Sequence, residues 1–169
     1  MTESEIILRL QQSLSSPAGR AGTGFLARWV IYLFIPYVFF YRKTIGWRGV
    51  GTVAWTALLA FALSTGLAAF IGRVRPYLAI AGVEAIVPPN IQHGSFPSSH
   101  TSVAVGVAMA LTALNVPIGV VAICGAILIA LGRVAAGMHY PSDVLGGVAI
   151  GLLSYAIVRA VQSGIAHLS

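Results

Sequence analysis

Long apolar stretches with short polar breaks run through the whole chain. Gly49 to Gly72 is 24 residues without Asp, Glu, Lys or Arg, and Ala85 to Gly132 is 48. A helix rises about 1.5 Å per residue and a hydrocarbon core is about 30 Å thick, so roughly 20 residues make one crossing. The first stretch is therefore one span. The second is too long for one, and Asn115-Val116-Pro117 divides it. It reads as a polar loop to about Phe96, a helix from Pro97 to Leu114, and a return helix from Pro117 to about Ala135. Ala21 to Tyr41 crosses if Arg28 snorkels or sits at an interface, with Pro36 the expected point of any kink. A last span runs from Pro141 to about Val161. The pattern predicts an all-α, integral membrane bundle of five spans, forming a single domain over 1–169.

Residues 1–20 behave differently. Ile6, Ile7, Leu10 and Leu14 fall near helical spacing beside Glu3, Glu5 and Arg9, which predicts a short amphipathic helix at the interface. No apolar core of a cleavable leader follows it. Within the spans, Ala104 with Ala108 and Gly147 with Gly151 form small-x-x-x-small pairs, which allow close helix packing in lipid.

Composition supports the membrane reading. Only 14 of 169 residues are charged, 57% are hydrophobic, and mean hydropathy is +0.89. A soluble domain carries about 25% charged residues. The single cysteine, Cys124, excludes an internal disulfide. The net charge of +6 comes from nine Arg and one Lys against four acids, and no basic run exceeds Arg42-Lys43. A dispersed basic set lacks the stripe of a nucleic-acid binder, while arginine suits forked recognition of phosphate.

Five spans carry three polar segments to one membrane face: GRVRPY at 72–77, FPSSHTS at 96–102 and GRVAAGMHYPSD at 132–143. Pro97 and Pro141 stand where helices begin, a position proline favours. The first N–H groups of such helices, including those of Ser98, Ser99 and His100, lack partners within the helix and form an anion site. Arg75 and Arg133 add charge-assisted hydrogen bonds. Asp143, four residues after His139, is spaced to accept from one ring nitrogen and leave the other as nucleophile. His100 then serves as general acid. These residues together describe phosphoryl transfer through a phosphohistidine, without metal or other cofactor. A metal site built from His93, His100, His139 and Asp143 is the competing reading, and the two arginines favour an anion over it. Glu84 and His93 read as loop residues. A small transporter or structural module, its polar ends only setting topology, is the alternative from another class.

The three segments resemble the signature of the type 2 phosphatidic acid phosphatase family, which includes the vanadium haloperoxidases. That signature is Lys-x6-Arg-Pro, then Pro-Ser-Gly-His, then Ser-Arg-x5-His-x3-Asp. Arg75-Pro76, Pro97-Ser98-Ser99-His100, and Arg133 with His139 and Asp143 correspond, within a resemblance over roughly residues 50 to 155. It implies His139 as nucleophile, Asp143 as its orienter, His100 as acid, and Arg75, Arg133 and Ser98 as phosphate ligands. Three positions depart: Ala68 for the lysine, Ser99 for the glycine and Gly132 for the serine. Ser99 keeps its backbone N–H for phosphate, and Arg73 is the expected substitute for the lysine. Phe-Pro-Ser-x-His and His-Tyr-Pro-x-Asp-Val are similar to bacterial undecaprenyl-diphosphate phosphatases. Relatives in the family act on phosphatidylglycerophosphate, phosphatidate or lipid A, and a haloperoxidase-like oxyanion binder is a further alternative. The partner implied is a lipid phosphate in the membrane.

The face opposite the site carries Arg42, Lys43, Arg48 and Arg159 and no acid. With functional arginines set aside, the positive-inside rule places that face in the cytoplasm and the site outside the inner membrane.

Overall fold

The computed structural model describes residues 1–88 and 94–166. The elements are all helices: α1 (Glu3–Ser13), α2 (Pro17–Arg28), α3 (Val30–Phe40), α4 (Arg42–Ile71), α5 (Pro76–Ala79), α6 (Ser99–Leu114), α7 (Val116–Ala135) and α8 (Pro141–Ala166), with turns between them and non-helical stretches at 80–88 and 94–98. Apolar side chains face outward as well as inward. Phe70, Leu145 and Trp55 are among the most exposed residues, as the solvent properties of lipid require.

Three helical stretches are long and apolar enough to cross a membrane: Arg42–Ala79, Val116–Ala135 and Pro141–Ile165. The pair α2 and α3 makes a fourth if taken as one span bent by 53°. The bend falls at Trp29 and not at Pro36, which lies inside α3. Its cause is local. The guanidinium of Arg133 donates to the Ala27 carbonyl at 3.1 Å, taking an acceptor that a continuous helix would offer to residue 31. The fifth apolar segment, α6, has 16 residues and rises about 24 Å, less than a full hydrocarbon core. It starts at Ser99 with Ser98 as N-cap, so Pro97 precedes the helix, whereas Pro141 opens α8 as expected.

Helix α6 is the centre of the bundle and packs against α4, α7 and α8. Ala104, Ala110 and Leu111 on it are wholly buried in a core shared with Phe34, Val53 and Ile129. The small residues of α8 explain how closely it approaches. A Cβ on Gly147 would lie 2.8 Å from the Ser98 carbonyl oxygen, and one on Gly151 would lie 2.6 Å from that of Ser102.

Helix α1 opens with a capping box between Thr2 and Glu5. Its apolar stripe buries Ile7 completely against Val83 and Val134, so α1 is docked on the bundle. Gln11 fixes the dock, donating to the carbonyls of Glu84 at 2.8 Å and Ala135 at 3.2 Å and accepting from the Glu84 N–H at 3.0 Å.

Candidate active site

The site is built where α4 and α7 end and α6 and α8 begin. Helix α4 closes on Gly72 in the left-handed region (φ 64°), which releases the chain into the extended turn bearing Arg73 and Arg75. Helix α7 delivers Arg133 in its last turn, and the loop at 136–140 returns His139 to the same place.

His139 is 2% exposed and its ring is held at both nitrogens. Nδ1 lies 2.8 Å from the Ser95 carbonyl oxygen. A carbonyl only accepts, so Nδ1 carries the hydrogen and Nε2 the lone pair. Nε2 faces the Arg133 guanidinium at 3.1 Å and that of Arg75 at 3.4 Å. Burial, reinforced by those two cations, pushes the His139 imidazole down to about 4, so it is neutral at pH 7. The Nε–H groups of Arg75 and Arg133 are buried and have no hydrogen-bond partner among the described residues. Donors of this kind belong beside an anion.

A cavity of about 450 Å³ opens over Nε2. Arg75, Ser99, His100, Arg133 and His139 line it together, so five of the eight residues singled out in the sequence share one space. The first backbone bond of α6 runs from Ser102 N–H to the Ser98 carbonyl, so the N–H groups of Ser99 and His100 lie ahead of the helical ladder. Ala68, where the resembled signature has lysine, is on the wall.

The other three residues stand behind His139. Ser98 is fully buried; its N–H donates to the Asp143 carbonyl at 3.0 Å and its hydroxyl accepts from Thr101 at 3.1 Å. Asp143 approaches Nδ1 only to 3.6 Å, beyond a hydrogen bond. Its carboxylate instead accepts from the Tyr140 N–H at 2.8 Å and from Arg73 at 2.6 Å. Arg73 also meets the Ser142 hydroxyl at 2.7 Å and Glu3 at 3.1 Å, and stacks over the Tyr140 ring at 4.0 Å. All of these partners lie outside the cavity, and Arg73 does not line it.

Three participants are not among the eight residues singled out in the sequence. Ser95 acts through a main-chain carbonyl, which leaves no trace in side-chain pattern. Glu3 accepts from the Ser142 N–H at 2.7 Å, near the first turn of α8, as well as from Arg73. Burial would raise the Glu3 carboxyl, yet hydrogen bonds from Ser142 and Arg73 hold it below its ordinary range. Arg28 lines the cavity from the end of α2. A charge inside an otherwise apolar span was the available signal for it. His93 lies outside the described residues, and among those described no three His, Cys, Asp or Glu side chains converge as ligands would. Glu84 pairs with Arg20 at 2.6 Å, on the surface.

Residues 49–165 match the PAP2 superfamily. The chain belongs to that family. It is 31% identical over 137 residues to decaprenylphosphoryl-5-phosphoribose phosphatase of Mycobacterium tuberculosis, covering 80% of this chain and 72% of that protein. It is 33% identical over 79 residues to undecaprenyl-diphosphatase BcrC of Bacillus subtilis, 47% of this chain and 40% of that one. The crystal structure of Aquifex aeolicus LpxE shares the fold, with a TM-score of 0.74 at 24% identity and coverage of 95% and 96%. As a PAP2 member the protein is an all-helical membrane protein of the lipid phosphatase branch.

Proposed function

We propose that this protein removes a phosphate from a lipid diphosphate, undecaprenyl diphosphate foremost, through a phosphohistidine on His139 and without a metal. The observation that carries the reading is the Nε2 lone pair, set by the Ser95 carbonyl and facing two guanidinium groups in a cavity at one end of an apolar bundle. Nε2 attacks phosphorus as the bond to the leaving oxygen breaks. Arg75, Arg133 and the N–H groups opening α6 hold the transferred oxygens. The bound anion favours the protonated form of His100, which gives its proton to the leaving oxygen. Neutral His100 then takes a proton from water as that water attacks phosphorus. The Nε2–P bond breaks and inorganic phosphate leaves.

A polyprenyl tail is supported by the Phe96-Pro97-Ser98-x-His100 and His139-Tyr140-Pro141-x-Asp143-Val144 segments. The names of both curated relatives given above also carry a polyprenyl phosphate. The four cations of the opposite face favour an inner-membrane protein with its site on the external side.

Purified protein in detergent is expected to release phosphate from undecaprenyl diphosphate in EDTA. His139→Ala should lose turnover while keeping its thermal unfolding. Full activity in that variant overturns the nucleophile, and a divalent-metal requirement overturns the metal-free step. Faster hydrolysis of phosphatidylglycerophosphate, phosphatidate or lipid A in the same assay reassigns the substrate.

A further inference from the structure

Arg28 has no role in the chemistry above, yet its side chain forms part of the cavity wall. It ends α2 at the 53° break, and two contacts bring that end of the helix to the site. Arg133 donates to the carbonyl of Ala27, the residue before Arg28, at 3.1 Å. Gly132, the residue before Arg133, allows the approach: a Cβ there would lie 2.8 Å from Leu26 Cβ and 2.9 Å from the Ala27 backbone nitrogen. Any larger residue at 132 drives α2 away from α7. The chain neighbour of Arg28 thus touches the guanidinium that holds His139 Nε2.

Arg28 is exposed at the end of α2. It shares the lining with Tyr32 and Phe61, both 56% exposed on the outer surface, so it stands at the mouth through which the cavity meets lipid. Among the described residues the guanidinium has no hydrogen-bond acceptor, only the Trp29 ring, 5.2 Å from Cζ to centroid. A lipid substrate with its reacting phosphate at His139 and its tail leaving past Tyr32 and Phe61 places its linking group beside Arg28.

We infer that Arg28 binds the second, tail-proximal phosphate of a lipid diphosphate, and so makes the site select diphosphates over monophosphates. This rests on the lipid phosphatase reading and extends it to a specificity-determining residue. Two departures from the resembled signature then become one change. Ala68 removes a cation from the wall, while Gly132 admits the helix that supplies another.

The test compares farnesyl diphosphate with farnesyl monophosphate, whose tails are identical. In Arg28→Ala the ratio of their kcat/KM values should fall about ten-fold or more, the effect of losing a charge-assisted hydrogen bond. Arg28→Lys should restore part of it. Gly132→Ser should lower the ratio in the same direction by displacing α2. Equal losses on both substrates, or none, overturn the inference. Titration of the detergent-solubilised protein with inorganic diphosphate and with orthophosphate supplies a readout independent of turnover. Arg28→Ala should weaken the first more than the second, and equal weakening, or none, overturns the assignment. If the wild type hydrolyses neither lipid, the phosphatase reading fails and the titration alone decides the role of Arg28.

Discussion

The two ends of the bundle both carry arginine and both hold a cavity, of about 450 Å³ at the site face and about 570 Å³ at the other. Size does not separate them; the company of the cations does. At the site face Arg73 is tied to Asp143, Ser142 and Glu3, and Arg133 to Ala27 and His139. At the opposite face Arg48 and Arg159 are exposed, and among the described residues neither imidazole nor carboxylate lines the space beside them. A guanidinium held by several partners has lost its rotamer freedom before any ligand arrives and can aim at a transition state. Arg48 and Arg159, exposed and away from the His139 cavity, can only attract anions.

That contrast makes graded predictions. Arg133→Ala should lower kcat about a hundred-fold or more, because it removes a donor aimed at the transferred phosphate. A steady-state assay showing a small loss would place Arg133 among the topology anchors. Glu3→Gln should come next, at about ten-fold in kcat with KM little changed, since it loosens Arg73 and the start of α8 without touching substrate. A change in KM alone would make Glu3 a substrate contact. The pH dependence of stability should follow His139. The unfolded imidazole binds a proton near 6.5 and the native one only near 4, so stability falls as pH drops through that window. Thermal unfolding at pH 7 and pH 5 should therefore differ more in the wild type than in His139→Gln, and parallel shifts would refute the buried neutral ring. Smallest of all, Arg48→Ala and Arg159→Ala should each change kcat/KM by no more than about two-fold, the range of ordinary surface substitutions.

Much of this was legible because it is local. Five apolar segments follow from charge-free or charge-poor runs, and His139, Arg133 and Asp143 follow from spacing within one stretch of chain. The Trp29 break was not, because its cause is Arg133, 106 residues away from the carbonyl it takes. Nor was the true partner of Nδ1. Asp143 has the right interval for the bond, but Arg73 and the Tyr140 N–H hold its oxygens, and a main-chain carbonyl takes the place. Arg73 was expected in the cavity from its position in sequence, yet Glu3 and Asp143 together offer two carboxylates outside it, a stronger attraction than open space. Arg28 was legible as a charge inside an apolar segment, but its place in the cavity lining depends on how α2 packs on α7.

The contact between Glu3 and Ser142 joins positions 139 residues apart, which sets an order on biogenesis. During synthesis Glu3 leaves the ribosome before α8 does. Until α8 is inserted, Glu3 has neither the Ser142 N–H nor an Arg73 paired with Asp143. The polar network around Asp143 is thus completed only when α1 and α8 meet, and a half-inserted protein leaves Arg73 and Glu3 without those partners.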